Sequence, residues 1–141
     1  MTTRIFFYGL YMDSGLLQSM GLRPRVVGAA RLDDYQLRIC RRATLVPARG
    51  KSSYGFLHEL EPGEAEALYS RPEVRGYVPQ AVKVTLLANA AVHDADCYVL
   101  ESEETDAAPD ADYATRLAAL VARLGLPPHY ARQIERLGES A

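Results

Sequence analysis

Ile5-Phe6-Phe7-Tyr8-Gly9-Leu10-Tyr11-Met12-Asp13-Ser14 is the stretch whose reading decides the fold. Ile5 to Tyr8 is a short apolar, aromatic and β-branched run, the composition of a buried strand. Gly9 breaks the run where the backbone must bend or come close to another group. Asp13 or Ser14 then offers an N-cap for a helix over Gly15–Met20. Strand, glycine turn and helix start form a cradle of N–H groups whose dipole favours an anion such as a carboxylate. Many chains of mixed α and β structure begin this way, so the rest of the sequence must decide what the cradle is for.

Outward from that stretch, Gly21 and Pro24 stop the first helix. Arg25–Leu32 reads as a strand, Asp33-Asp34 as a turn, and Tyr35–Cys40 as a half-buried strand, because Tyr35, Leu37 and Ile39 alternate with Gln36, Arg38 and Cys40. Pro47-Ala48-Arg49-Gly50-Lys51-Ser52-Ser53 has the composition of an exposed loop. Tyr54–Leu60 is a strand and Glu64–Tyr69 a short helix, with Ala65, Leu68 and Tyr69 on one face. After the irregular piece Ser70–Gly76 come strands over Ala81–Leu87 and Asp94–Leu100, with Asn89 at the turn between them. Glu101–Asp110 is acidic and reads as a loop. Tyr113–Leu124 and Pro128–Leu137 are helices, separated by Gly125 and opened by Pro127-Pro128. Many short strands, two short helices and a helical tail describe an α+β domain on a mostly antiparallel sheet, either open or closed into a barrel.

The 141 residues suit one domain with a real core, and 48% apolar with 24% charged residues argue against disorder. A net charge of -2 argues against a nucleic-acid or anionic-membrane surface. No apolar run approaches the roughly 18 residues of a membrane span, and Met1-Thr2-Thr3-Arg4 lacks the layout of a secretory signal. A cytoplasmic protein is expected. Cys40 and Cys97 lie in strand-like runs and read as small hydrophobes, with no disulfide expected in a reducing compartment. His58, His93 and His129 have no metal-ligand spacing, so no metal site is expected.

Among the acidic residues, Glu59, Glu61, Glu64, Glu66, Glu101, Glu103 and Glu104 read as solvated surface charges. Glu73 differs: it sits in an irregular loop among Pro72, Val74, Gly76 and Tyr77, where a part-buried carboxylate is suited to general-base work. Tyr8, Tyr11, Tyr77 and Tyr98 are candidate hydroxyl donors around a pocket, or else packing residues. Arg38, Arg41 and Arg42 form the one basic cluster and read as a solvated strand edge.

The chain resembles the gamma-glutamyl cyclotransferase-like superfamily over nearly its whole length. Tyr8-Gly9-Leu10-Tyr11-Met12-Asp13 resembles that family's Tyr-Gly-Ser/Thr-x-Met/Leu loop after the first strand. Val27–Leu37 resembles its second hairpin, and Tyr54–Leu60 its Val-x-Gly-x-x-Tyr-x-Leu strand. Leu68 to Tyr77 falls where the family has Leu-Asp-x-x-Glu-Gly and a following tyrosine. Gly125-Leu126-Pro127-Pro128-His129-Tyr130 resembles the Gly-Leu-Pro-x-x-Tyr of its C-terminal helix pair. The resemblance implies intramolecular aminolysis of a gamma-glutamyl compound to 5-oxoproline. It needs no cofactor and uses a glutamate base, in a monomer or homodimer. It assigns Glu73 as the base and Tyr8, Gly9, Leu10, Tyr11, Met12, Tyr77 and Tyr98 to substrate binding. Two departures stand out. Leu10 and Tyr11 stand where the family usually has Ser/Thr and often Asn, and Tyr69 and Pro72 occupy its aspartate and glutamate positions, placing Glu73 one residue late. The alternative is a non-catalytic protein on the same fold that binds a small carboxylate.

Overall fold

β1 (Thr3–Phe7) buries Ile5, Phe6 and Phe7 on both of its faces, as an unbroken apolar run requires. In the computed structural model, which describes residues 2–101 and 110–139, β1 lies between two other strands. It pairs antiparallel with β3 (Ala43–Leu60) and parallel with β5 (Val92–Leu100), the latter at Ile5 opposite Asp96. β3 pairs with β2 (Arg25–Ile39), β2 with β4 (Tyr77–Leu86), and β4 with β5, all antiparallel. The result is a closed barrel in the order β1-β3-β2-β4-β5, from which the β2–β3 hairpin extends beyond the residues paired to β1 and β4. This is the α+β, mostly antiparallel sheet expected from the sequence pattern, here closed into the barrel.

Four helices accompany the barrel among the described residues: α1 (Ser14–Ser19), α2 (Glu64–Tyr69), α3 (Ala111–Arg123) and α4 (Pro128–Leu137). Asp13 caps α1, its Oδ1 accepting the Gly15 N–H at 3.0 Å, and Asp110 caps α3 by accepting the Tyr113 N–H at 3.0 Å. Ala114, Leu117 and Val121 of α3 and Tyr130 and Ile134 of α4 are fully buried, so the helix pair is fixed by its apolar faces. The Tyr130 ring meets Tyr54 of β3 edge-on at 5.0 Å, which seats the pair on the barrel. No helix among the described residues is long and apolar enough to cross a membrane.

Three expectations change. β2 is one strand through Asp33-Asp34, not two strands and a turn, and the reversal falls at 40–42, where the Cys40 N–H donates to the Arg42 carbonyl. The segment 47–53 belongs to β3 rather than to a free loop. Asp33 faces Ser52 and Tyr35 faces Pro47, so Asp34 alone stands opposite residues 48–51. This irregularity carries the same chemistry as a turn: Asp34 takes φ 67° and accepts the Gly50 N–H at 3.0 Å, while Asp33 accepts from Ser52 and Arg31. Glu59, third, is no solvated charge. Its residue is 9% exposed and its carboxylate takes Arg4 at 3.2 Å and Arg25, and these partners, Arg25 first, hold its pKa below the usual range. The expected acidic loop over 101–110 lies almost wholly outside the described residues.

Candidate active site

The chain leaves β1 at Phe7, and Tyr8-Gly9 leads into a tight 3-10 turn over Leu10–Met12 before α1 begins. The Met12 N–H returns to the Gly9 carbonyl at 3.0 Å and that of Asp13 to Leu10 at 3.2 Å. The first N–H groups of such a turn have no partner within it, and that of Leu10 meets the Tyr113 hydroxyl. Beside the turn lies a cavity of about 380 Å³, lined by Tyr8, Gly9, Leu10 and Tyr11 on one side and by Glu73, Val74 and Tyr77 on another.

Six of the eight site residues named from the sequence therefore share this cavity: Tyr8, Gly9, Leu10, Tyr11, Glu73 and Tyr77. Met12 is 2% exposed and belongs to the core beneath the turn. Tyr98 stands one layer back. Its carbonyl accepts the Tyr8 hydroxyl at 2.7 Å, and its ring lies flat on Tyr69 with centroids 3.8 Å apart. Burial raises the pKa of Tyr8 and Tyr69 well above the ordinary tyrosine range and raises those of Tyr11 and Tyr98 as well. The aromatic wall is consequently neutral, and charge enters the cavity only through other residues.

Glu73 supplies the negative charge. It lies in a short 3-10 turn over Pro72–Val74, where Pro72 presets the first position. Its side chain is 60% exposed, with Arg71 at 3.8 Å, so the part-burial expected from the sequence is not met. Glu73 nonetheless lines the same cavity as the opening turn, and its charge adds to burial in raising the Tyr11 pKa. The Glu73 segment is tied to the β2–β3 reversal by Arg42, whose guanidinium donates to the Arg75 carbonyl and lies 5.4 Å from the Tyr77 ring centre. The Tyr77 hydroxyl donates to the Ala43 carbonyl, so Tyr77 shapes the wall and does not present a donor to the cavity.

Sequence reading missed Tyr69, Tyr113, Arg41, Arg42 and Arg116 as lining residues. Arg41 and Arg42 were visible as a basic cluster, but nothing local showed that the reversal carrying them turns toward the cavity. Tyr69 read only as part of a helix face, and Tyr113 as the first apolar position of a helix. Tyr113 is brought from the far end of the chain to the Gly9 turn. A Cβ added at Gly9 would lie 2.8 Å from the Tyr113 hydroxyl oxygen. Burial pushes the Tyr113 pKa up to about 12, with the Leu10 backbone N–H opposing that rise. Among the described residues, no group of three His, Cys, Asp or Glu side chains is placed to hold a metal ion.

Neutral hydroxyls, backbone donors, one carboxylate and several arginines can bind a small polar molecule and exchange a proton with it. The barrel is similar to that of a solved gamma-glutamyl cyclotransferase, with a TM-score of 0.84 at 18% identity, covering 100% of this chain and 90% of the other. An uncharacterized protein from Homo sapiens gives a TM-score of 0.80 at 20% identity over 99% of this chain and 89% of that one. YkqA from Bacillus subtilis gives 0.78 at 23% identity, covering 96% of this chain and 53% of YkqA. These identities establish the shared fold alone. No curated protein matches the sequence. A family model, described as gamma-glutamyl cyclotransferase, AIG2-like, matches residues 5–115, a span from β1 into α3 that takes in the opening turn, Glu73 and Tyr113. The chain belongs to the gamma-glutamyl cyclotransferase, AIG2-like family.

Proposed function

We propose that the protein is a cyclotransferase that releases 5-oxoproline from a small gamma-glutamyl compound. The observation that carries this reading is the meeting of Glu73 and the Gly9–Tyr11 turn on one cavity, in a chain of this family. In the reaction the α-amine of the glutamyl group attacks its own γ-carbonyl carbon. A new carbon–nitrogen bond closes the ring, and the original amide bond breaks to free the amine. A protonated amine is no nucleophile, so a carboxylate must take its proton and return one to the departing nitrogen. Glu73 is assigned both transfers. Backbone N–H groups of Gly9 and Tyr11, with that of Leu10 once it leaves the Tyr113 hydroxyl, hold the α-carboxylate or the developing oxyanion. Replacement of the family's usual Ser/Thr and Asn by Leu10 and Tyr11 is tolerated by a site that works through main-chain donors. A cavity of about 380 Å³ beside the opening turn has room for the folded glutamyl pose that closure needs.

Incubation with gamma-glutamyl dipeptides, gamma-glutamyl amines and glutathione should yield 5-oxoproline from at least one of them. Glu73→Gln should lower kcat by about 10²–10⁴-fold. Absence of product from every compound, or a Glu73→Gln enzyme as fast as the parent, would remove the assignment. The 60% exposure of the Glu73 side chain and its Arg71 neighbour favour a second reading, a non-catalytic protein binding a small carboxylate in the same cavity. That reading requires calorimetric binding of glutamate or 5-oxoproline without turnover.

A further inference from the structure

A base on a short exposed turn works only if something outside the turn holds it. Glu73 sits on the turn Pro72–Val74, between α2 and β4, and the backbone bonds there are local. The Val74 N–H returns to the Arg71 carbonyl at 3.2 Å and that of Arg75 to Pro72 at 3.3 Å. Such bonds keep the turn's shape but not its place. Arg71 lies 3.8 Å from the Glu73 carboxylate, yet it belongs to the same segment and is 41% exposed, so this pair anchors little.

The hold comes from the β2–β3 reversal. The Arg42 guanidinium donates to the Arg75 carbonyl, just past the turn, and lies against the Tyr77 ring. In return, the Tyr77 hydroxyl donates to the carbonyl of Ala43, the chain neighbour of Arg42. Two adjacent hairpin residues thus grip the segment that follows Glu73, once by its backbone and once by a side chain. Arg42, Glu73 and Arg75 border one open recess, so the grip lies beside the carboxylate. The Cys40 carbonyl of the same reversal accepts the Asp110 N–H at 2.9 Å, which ties in the start of α3 that carries Tyr113. One hairpin end therefore fixes the Glu73 turn relative to the helix that meets Gly9. Ring closure depends on such placement, because a displacement of about 1 Å in a reacting group costs roughly 10²-fold in rate.

We infer that Arg42 is a positioning residue for the proposed reaction: by holding the Arg75 carbonyl and the Tyr77 ring it sets where the Glu73 carboxylate stands. This rests on the cyclotransferase reading with Glu73 as the base. The planar guanidinium donates along its edge while its face covers the ring, and a lysine ammonium, a single point charge, does not do both.

Arg42→Gln and Arg42→Lys should each lower kcat by about 10–10²-fold on whichever gamma-glutamyl compound is turned over, with KM changed by less than about twofold and lysine the milder change. Placed in the Glu73→Gln protein, Arg42→Gln should cause no further loss, because the carboxylate it positions is gone. A merely structural role would cut activity by the same factor in both backgrounds. Nuclear magnetic resonance reads the hold without turnover: backbone order parameters over residues 73–75 should fall from about 0.85 to below about 0.6 in Arg42→Gln, while those of β1 stay high. If Arg42→Gln unfolds, Arg42→Lys carries the same comparison. Unchanged order parameters over 73–75, or losses that multiply in the double variant, would overturn the inference. If no gamma-glutamyl compound yields 5-oxoproline, the cyclotransferase reading falls, while the order parameters still decide whether Arg42 holds the Glu73 turn.

Discussion

Gly9 meets the hydroxyl of Tyr113 where a longer side chain would stand, since an added Cβ would come within 2.8 Å of that oxygen. Tyr113 is half-buried against the turn, and its hydroxyl faces the Leu10 N–H. The ring cannot swing away freely, so the contact couples the first strand's turn to the start of α3. Gly9→Ala should therefore weaken ligand binding and lower stability, while Tyr113→Phe removes the atom it strikes. A double-mutant cycle should show the pair less damaging than the sum of the single changes, with a coupling of about 0.5–3 kcal/mol. Additive effects, read by denaturant unfolding and ligand calorimetry, would mean that the two residues do not touch in solution. Neither residue's sequence neighbourhood announces this contact. Gly9 was legible as a turn because glycine after an apolar run has few other uses, but Tyr113 gave no sign beyond its place in a helical stripe. Its role depends on a contact across more than a hundred residues, which no local pattern encodes.

Elements were legible where one local cause sets both ends. α2 and α4 fall where apolar spacing, Gly63 and Pro128 place them, and β1 where the Ile5–Phe7 run lies. The β2–β3 hairpin was misread because Asp, Gly and Ser serve a strand irregularity as well as they serve a turn. Only the pairing of Asp33 with Ser52 and Tyr35 with Pro47 distinguishes the two. Arg41 and Arg42 show the same limit at the site: charge predicts exposure, but the hairpin's reversal decides that the exposed face borders the cavity. Glu59 shows its converse, where two partners distant in sequence permit burial of a charge. Strand packing also explains Gly55. A Cβ there would lie 2.1 Å from the Phe7 carbonyl oxygen, because β1 and β3 approach closely at that register. The obstructing atom is backbone and cannot rotate away. Gly55→Ala should cost about 1–3 kcal/mol, toward the upper end, seen as a lower denaturant midpoint. A midpoint equal to the parent's would show that the strands separate there at little cost.

At the scale of the whole molecule, the barrel wall carries a histidine whose charged form folding disfavours in the range where it ordinarily titrates. His58 is 1% exposed, with Phe7 at 5.4 Å and Phe56 at 6.4 Å between ring centres, and neither ring nitrogen has a hydrogen-bond partner among the described residues. Burial lowers its pKa from 6.5 to about 4, a shift that the Phe56 backbone only partly opposes. The folded state therefore binds this proton less readily than the unfolded chain does. Above pH 6.5 His58 is neutral in both states and the fold bears no penalty from it. As the pH falls from 6.5 toward 4, the unfolded chain gains the proton first and stability declines, by about 2 kcal/mol between pH 7 and 5 from this group. Below pH 4 both states are protonated and the loss from His58 levels off. The arginine-held Glu59 carboxyl, whose pKa is lowered, adds a loss that begins only as the pH nears the ordinary carboxylate range. His58 therefore dominates the interval above it. His58→Leu keeps an apolar side chain against Phe7 and Phe56 and removes the titration. Its urea midpoint at pH 7 reports any change in packing, and the difference between its midpoints at pH 7 and 5 should be markedly smaller than the parent's. If the two proteins lose stability in parallel over that interval, His58 is hydrated or hydrogen-bonded in solution, and the barrel wall beside Phe7 is more open than its packing shows.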